Sequence, residues 1–306
     1  MSGDHMTRRK FMIESTSLIG AMATVSPIAL AEDNSNRWEQ AAAKPLQVPK
    51  APIKVAFLIS DDFAVIDFAG PWEIFQDVLN PGTHKPAFEL YTVSRSGKPV
   101  RARGGQRVVP EHSFESAALP NVLVVPAQSD DSEAVLSWIR KVAAHADMTM
   151  SVCTGAFLLA KAGVLDGLEA TTHHGAYKLL SVNYPRIRVQ QKVRYVDTGR
   201  IATSSGLSAG IDLALHIVAR YFGESVANTT AAEVEYAGYG WKDPHNTGDI
   251  FDRLQAERKG RVCPVCGMGP IGTDVALLYK GKTYYFCSDN CRKTFVKRPQ
   301  EFVTRN

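Results

Sequence analysis

The chain has 306 residues, of which 45% are hydrophobic and 22% charged, and its formal net charge is +4. Those figures suit one large or two smaller packed domains and exclude a disordered or collagen-like chain. The charge excess is too small to indicate a nucleic-acid partner. Four of the five cysteines (Cys263, Cys266, Cys287, Cys291) crowd the last 44 residues and Cys153 stands apart, so the two groups need separate explanations.

Taken in chain order, TRRKFM at 7–12 precedes a weakly apolar stretch, 17–31, that ends Ala29-Leu30-Ala31. This pattern predicts a twin-arginine export signal over 1–31 and hence a periplasmic protein. The stretch is short and interrupted by Ser, Thr and Pro, so no stable membrane anchor is expected after cleavage. Residues 32–51 are polar, with Pro45 and Pro49, and read as a linker.

Ordered structure is expected from 52 to 240. The unbroken apolar run 53–59 suits a strand buried on both faces. In 66–79 the pair Gly70-Pro71 reads as a break, with Pro71 in the first turn of a helix. Strands are expected at 88–94, 121–127 and 148–152. A helix at 129–146 has Ser or Asp available to cap it. Another at 154–165 stops near Gly163 and Gly167. A hairpin at 194–204 leads to a strong helix at 207–223, ended by Gly223, and a further helix at 225–239. Residues 241–260 are a polar connector, and 261–306 form a small Cys-rich module. Strands alternating with helices predict an α/β fold with a mainly parallel sheet covered on both faces. Ligands in such sheets bind beyond the carboxyl ends of the strands.

Cys153 lies at such an end, in SVCTGAFLLAKAGVLDG, 151–167. A strand, a cysteine and then a helix can form a nucleophile elbow, whose sharp turn exposes the side chain near helix amides. A helix N-terminus lowers a thiol's pKa. The alternative is a packed core cysteine.

VCTGAFLLAKAGVLDG with ATTHHGAYKLL (170–180), IDFAGPWEIF (66–75) and RIATSSGLSAGIDLALHIV (200–218) together resemble the ThiJ/PfpI superfamily. The resemblance covers about 53–240. It implies a flavodoxin-like, glutamine-amidotransferase-like fold with no cofactor of its own. The Cys-Thr pair and the Asp-x-x-Gly-Pro element resemble the branch of isonitrile hydratases and the ligand domains of AraC-type regulators. The resemblance implies that Cys153 is the nucleophile, Asp67 its acid partner, Thr154 a neighbouring hydroxyl, and His173 an imidazole near the thiol or a structural histidine of the turn. The chain departs from the pattern after the 121–125 strand. The family has a Gly-Gly pair whose amides line the pocket, and this chain has Ala127-Gln128. Ala is poor at positive φ, so an altered amide pocket is expected.

CPVCGM (263–268) and CSDNC (287–291) are two close cysteine pairs that can surround one soft ion tetrahedrally. Two disulfides are the alternative in an oxidising compartment. With YKGKTYYFC before Cys291 and the ending FVKRPQEF, the stretch 261–304 resembles a YHS/TRASH-type metal-binding domain. Zinc is the structural default, and Met268 either packs as a core methionine or would add a thioether suited to copper(I).

These features imply an exported, cysteine-dependent enzyme of the isonitrile-hydratase type carrying a metal-binding module. A periplasmic zinc- or copper-handling protein on a non-catalytic scaffold is the alternative. A thiol stress protein oxidised at Cys153 is a third reading. The expected partners are a small electrophile or a metal ion and no nucleic acid, and a homodimer is expected from the superfamily.

Overall fold

The computed structural model describes residues 44–257, 262–267 and 272–303. The export segment, the first part of the linker and Met268 lie outside them.

The larger domain begins with β1 (Ile53–Leu58), α1 (Val65–Gln76) and β2 (Phe88–Ser94). Three short strands follow: β3 (Val100–Arg101), β4 (Arg107–Val108) and β5 (His112–Ser113). Next come β6 (Val122–Val125), α2 (Glu133–His145), β7 (Met148–Val152) and, after one 3-10 turn at Cys153–Gly155, α3 (Ala156–Lys161). The chain continues through β8 (Glu169–Ala170), α4 (Tyr177–Asn183), β9 (Arg188–Val189), β10 (Tyr195–Asp197), β11 (Ile201–Ser204), α5 (Ala209–Phe222) and α6 (Glu224–Glu233). The seven-stranded sheet runs β10-β11-β7-β6-β1-β2-β5. Every pair is parallel except the β10–β11 hairpin.

Strand residues alternate between two cores. Ile53, Val55, Phe57, Val122 and Val124 pack on one face with α1, α5 and α6. Ala56, Leu58, Leu123 and Val125 pack on the other with α2, α3 and α4. Each central strand is therefore apolar on both faces, as a helix-covered parallel sheet requires. The mainly parallel sheet sandwiched by helices is the expected one.

The structure differs from the sequence-based expectations in three local features. Gly70-Pro71 does not break the chain, because α1 runs through it. Pro71 forgoes one helix bond, and the small residues serve packing. A Cβ on Gly70 would meet Ile211 at 3.0 Å, and one on Gly210 would meet Val152 at 2.9 Å and Pro71 at 3.3 Å. This is where α1 and α5 cross closely. Ser132 occupies the N-cap of α2 without a side-chain capping bond. Trp241 is buried in the first core and Arg194 N–H bonds the Pro244 carbonyl, so packing continues beyond 240. The connector then contains a helix, α7 (Ile250–Glu257).

The small C-terminal domain contains a hairpin, β12 (Ala276–Tyr279) and β13 (Lys282–Tyr285), followed by α8 (Asp289–Lys297) and α9 (Pro299–Phe302). Its core centres on Phe295, which is ringed by Tyr279, Tyr284, Phe286 and Phe302. Among the described residues no helix is long and apolar enough to cross a membrane.

Candidate functional site

The carboxyl ends of β1, β6, β7 and β11 converge on Cys153. Its φ of 58° lies in the left-handed region, a strained choice for a side chain with a Cβ and one that clusters at functional sites. The neighbouring backbone holds the turn. Thr172 Oγ1 donates to the Cys153 carbonyl at 2.9 Å. Two residues on, a Cβ on Gly155 would lie 2.1 Å from the Val125 carbonyl oxygen. Only glycine lets the β6 and β7 ends approach this closely.

Asp67, in the first turn of α1, is fully buried. Its Oδ2 accepts the Ala127 N–H at 3.2 Å, and its buried Oδ1 has no hydrogen-bond partner among the described residues. Burial pushes its carboxyl up to about 6, against the opposing effects of the Ala127 amide, the Arg103 charge and the Cys153 thiol. The Cys153 thiol is pushed up to about 12, first by burial and then by the Asp67 charge, while the Thr154 and Leu207 amides and the Thr154 hydroxyl pull it down. The expected lowering by a helix N-terminus does not prevail. The helix after the turn, α3, has only six residues, and desolvation beside a carboxylate outweighs its dipole. Near neutral pH the pair's proton therefore sits on the thiol, with Asp67 largely a carboxylate.

Asp67, Thr154 and Cys153 are thus brought together. His173 lies in the adjoining turn. Its Nδ1 accepts the Gly175 N–H at 3.2 Å, and its ring covers Gly206 and packs on His174 at 4.0 Å. It caps the 174–176 turn beside the site. Ala127 does not need positive φ, which removes the expected strain there. Its amide serves Asp67, and Gln128 Nε2 donates to the Leu58 carbonyl at 3.0 Å.

Three features were missed by sequence reasoning. Leu207, at φ 50°, supplies an amide that lowers the Cys153 thiol's pKa, and the glycine before it in SSGLSAG was the available signal. Phe68 and Trp72, half-buried with ring centroids 5.3 Å apart, extend an aromatic cluster from Phe57 beside Asp67. Arg103, exposed in the β3–β4 hairpin, acts on Asp67 through its charge, and the hairpin is tied down by the Arg103 N–H bond to the Phe63 carbonyl at 2.9 Å and by buried Ala102.

In the C-terminal domain the Sγ atoms of Cys263, Cys266, Cys287 and Cys291 all lie within 4.8 Å of one another. Cys287 Sγ is 3.4 Å from that of Cys266 and 3.5 Å from that of Cys291. Four thiolates about 2.3 Å from a tetrahedral ion stand roughly 3.8 Å apart, so the residues fit a soft metal ion. Gly267, at φ 73°, turns the first knuckle, and its N–H bonds the Cys263 carbonyl at 2.8 Å. Ser288 caps α8 by accepting the Cys291 N–H at 3.3 Å. Hydrogen bonds from Cys266 and Cys291 push the Cys263 thiol well below its usual range, while its bond with Cys263 raises Cys291.

The DJ-1/PfpI family model matches residues 53–220, and the YHS domain model matches 262–306. The chain belongs to the DJ-1/PfpI family and carries a YHS domain at its C-terminus. It is 30% identical over 191 residues to an isonitrile hydratase from Pseudomonas putida, covering 60% of this chain and 79% of that one. It is 32% identical over 175 residues to the HTH-type transcriptional regulator CdhR of Pseudomonas aeruginosa, covering 56% of this chain and 51% of that one. The chain therefore spans about half the length of that regulator. In fold it is similar to a ThiJ/PfpI family protein from Pseudomonas syringae, with a TM-score of 0.56, 24% identity, and coverage of 77% of this chain and 90% of that one.

Proposed function

We propose that the larger domain is a cysteine-dependent hydratase acting on isonitriles and that the C-terminal domain holds one zinc or copper ion through its four cysteines. The observation that carries the first part is the burial of both Asp67 and Cys153, with the cysteine held in a strained left-handed turn and the Asp67 charge acting on its thiol.

The Asp67 carboxylate takes the thiol proton as the Cys153 sulfur forms a bond to the terminal isonitrile carbon. The Thr154 and Leu207 amides steady the charge developing on sulfur, which offsets its unfavourable resting pKa. Asp67 returns the proton to that carbon, giving a thioimidate. Water adds across the C=N bond, its hydroxyl to carbon and one proton to nitrogen; the C–S bond then breaks as the hydroxyl's proton passes to sulfur and restores the thiol. The product is the N-substituted formamide, which is isonitrile plus one water. Phe68 and Trp72 supply apolar surface for the substituent. The test is formamide formation from a simple alkyl isonitrile, followed by NMR. Cys153→Ala should abolish it while leaving the fold intact, and full turnover by that variant would sink the scheme.

The metal would be held by Cys263, Cys266, Cys287 and Cys291 and would supply cross-linking of a domain with a small core. Plasma mass spectrometry on anaerobically purified protein should find one equivalent per chain. No metal and two disulfides would overturn this part. The paired Arg8-Arg9 and the apolar segment after them support export to the periplasm, and replacing both arginines with lysine should retain the protein in the cytoplasm. A homodimer belongs to the same reading and is checked by sedimentation.

One observation favours a second reading. A thiol held up to about 12 is a poor nucleophile unless its proton is removed. If no isonitrile is turned over, the larger domain is a ligand-binding scaffold for a metal-handling protein.

A further inference from the structure

The two thiol sites meet at one turn. A Cβ on Gly175 would stand 3.6 Å from the Cys266 carbonyl oxygen and 3.3 Å from His173 Nδ1. The backbone of the first metal knuckle therefore lies against residues 173–175. On its other side the same turn is tied to the nucleophile. Thr172 holds the Cys153 carbonyl. The His173 ring covers Gly206 closely enough that a Cβ there would meet Cδ2 at 2.8 Å, and the amide of the next residue, Leu207, acts on the Cys153 thiol.

The docking continues along α4. Leu179 and Val182 pack into the core that contains Cys263, Cys266 and Phe295. Lys178 Nζ donates to the Phe302 carbonyl at 3.4 Å and stands 5.5 Å from that ring's centroid. Arg298 donates to the Val182 carbonyl at 3.4 Å and to Asn183 Oδ1. These are contiguous contacts from a metal ligand's own backbone to the reactive thiol.

We propose that metal occupancy of the four-cysteine site controls access to Cys153, through the 173–175 turn and α4. With the ion bound, the Cys266 knuckle is fixed and braces the turn against Gly206 and Leu207. Without it the small domain loses its cross-link, and the turn is free to open above Cys153. A ligand that favours one arrangement of such an element shifts the other site by the same coupling energy. The inference concerns the site of the proposed hydratase, but its test needs no turnover and stands if that reaction fails.

The experiment measures the initial rate at which iodoacetamide alkylates Cys153 in the full chain, anaerobically, with zinc(II) bound and after chelation. Mass spectrometry follows the peptide holding Cys153, so alkylation of the other four thiols does not interfere. The expected result is alkylation at least about fivefold faster in the stripped protein. The double variant Lys178→Ala/Arg298→Ala, which cuts the docking outside both sites, should lose that difference or bind zinc more weakly. Equal rates, or a slower rate in the stripped protein, would overturn the proposal. So would a double variant that keeps both its zinc affinity and the full difference.

Discussion

Cys153 is held by the core of a large domain, whereas the other four cysteines belong to a domain whose own core is a handful of residues around Phe295. At Cys153 two packed layers impose a left-handed turn, bury the side chain and push the thiol up to about 12. At the other site the chain imposes little, two of the thiols are less than fully buried, and an ion would supply the missing cohesion. A cysteine's surroundings can thus store strain or wait for a ligand, and the residue name alone does not say which.

This contrast can be broken at either end. Metal removal should have the largest effect. Structural zinc contributes on the order of 10 kcal/mol or more in small domains, so chelation should expose 272–303 to hydrogen exchange while the melting of the larger domain barely moves. Equal loss of protection in both would erase the distinction. Next is Gly155→Ala, whose new methyl would lie 2.1 Å from the Val125 carbonyl oxygen. It should cost about 3 kcal/mol or more in the thermal unfolding of the larger domain and leave metal content unchanged.

Asp67→Asn has an effect of comparable size and opposite sign. Asp67 is raised to about 6 from 3.8, so the folded chain binds more protons than the unfolded chain between those values. Stability therefore falls as pH rises from about 4 to about 6, and the cost is present in full above 6. The variant should gain up to about 3 kcal/mol at pH 8, seen in denaturant titration. It should lose hydration, and the Cys153 alkylation profile should move to lower pH because the Asp67 charge no longer opposes the thiolate. Smallest is Arg103→Gln. The Arg103 charge draws the Asp67 pKa down, so its loss should move the acid limb of the activity profile slightly upward. No movement would place the guanidinium beyond electrostatic reach.

The fold was legible because the long strands are continuous apolar runs. The expected strands 88–94 and 148–152 are β2 and β7 residue for residue. Gly70-Pro71 misled because a sequence window cannot see the partner across a helix crossing, here Ile211 and Gly210. The elbow at Cys153 was legible from a strand, a cysteine and a helix in succession. The direction of the thiol's shift was not, because it comes first from burial by the folded layers and then from Asp67, 86 positions away in sequence. The contact of Cys266 with Gly175 was invisible for the same reason.

The end of the sheet opposite Cys153 has its own consequence. Arg220 bonds Asp197 and the Gly199 carbonyl at 2.8 and 2.7 Å, and its Nε bonds the Lys44 carbonyl at 2.8 Å. Leu46 N–H bonds the Arg220 carbonyl at 2.7 Å, and His216 completes the hub with a 2.9 Å bond to Asp197. In mechanical terms this is a strain relief. A pull on the chain ahead of Lys44 is taken up by α5 and the β10–β11 hairpin, at the far ends of the strands that carry the nucleophile. Traction or cleavage upstream would leave the geometry at Cys153 undisturbed.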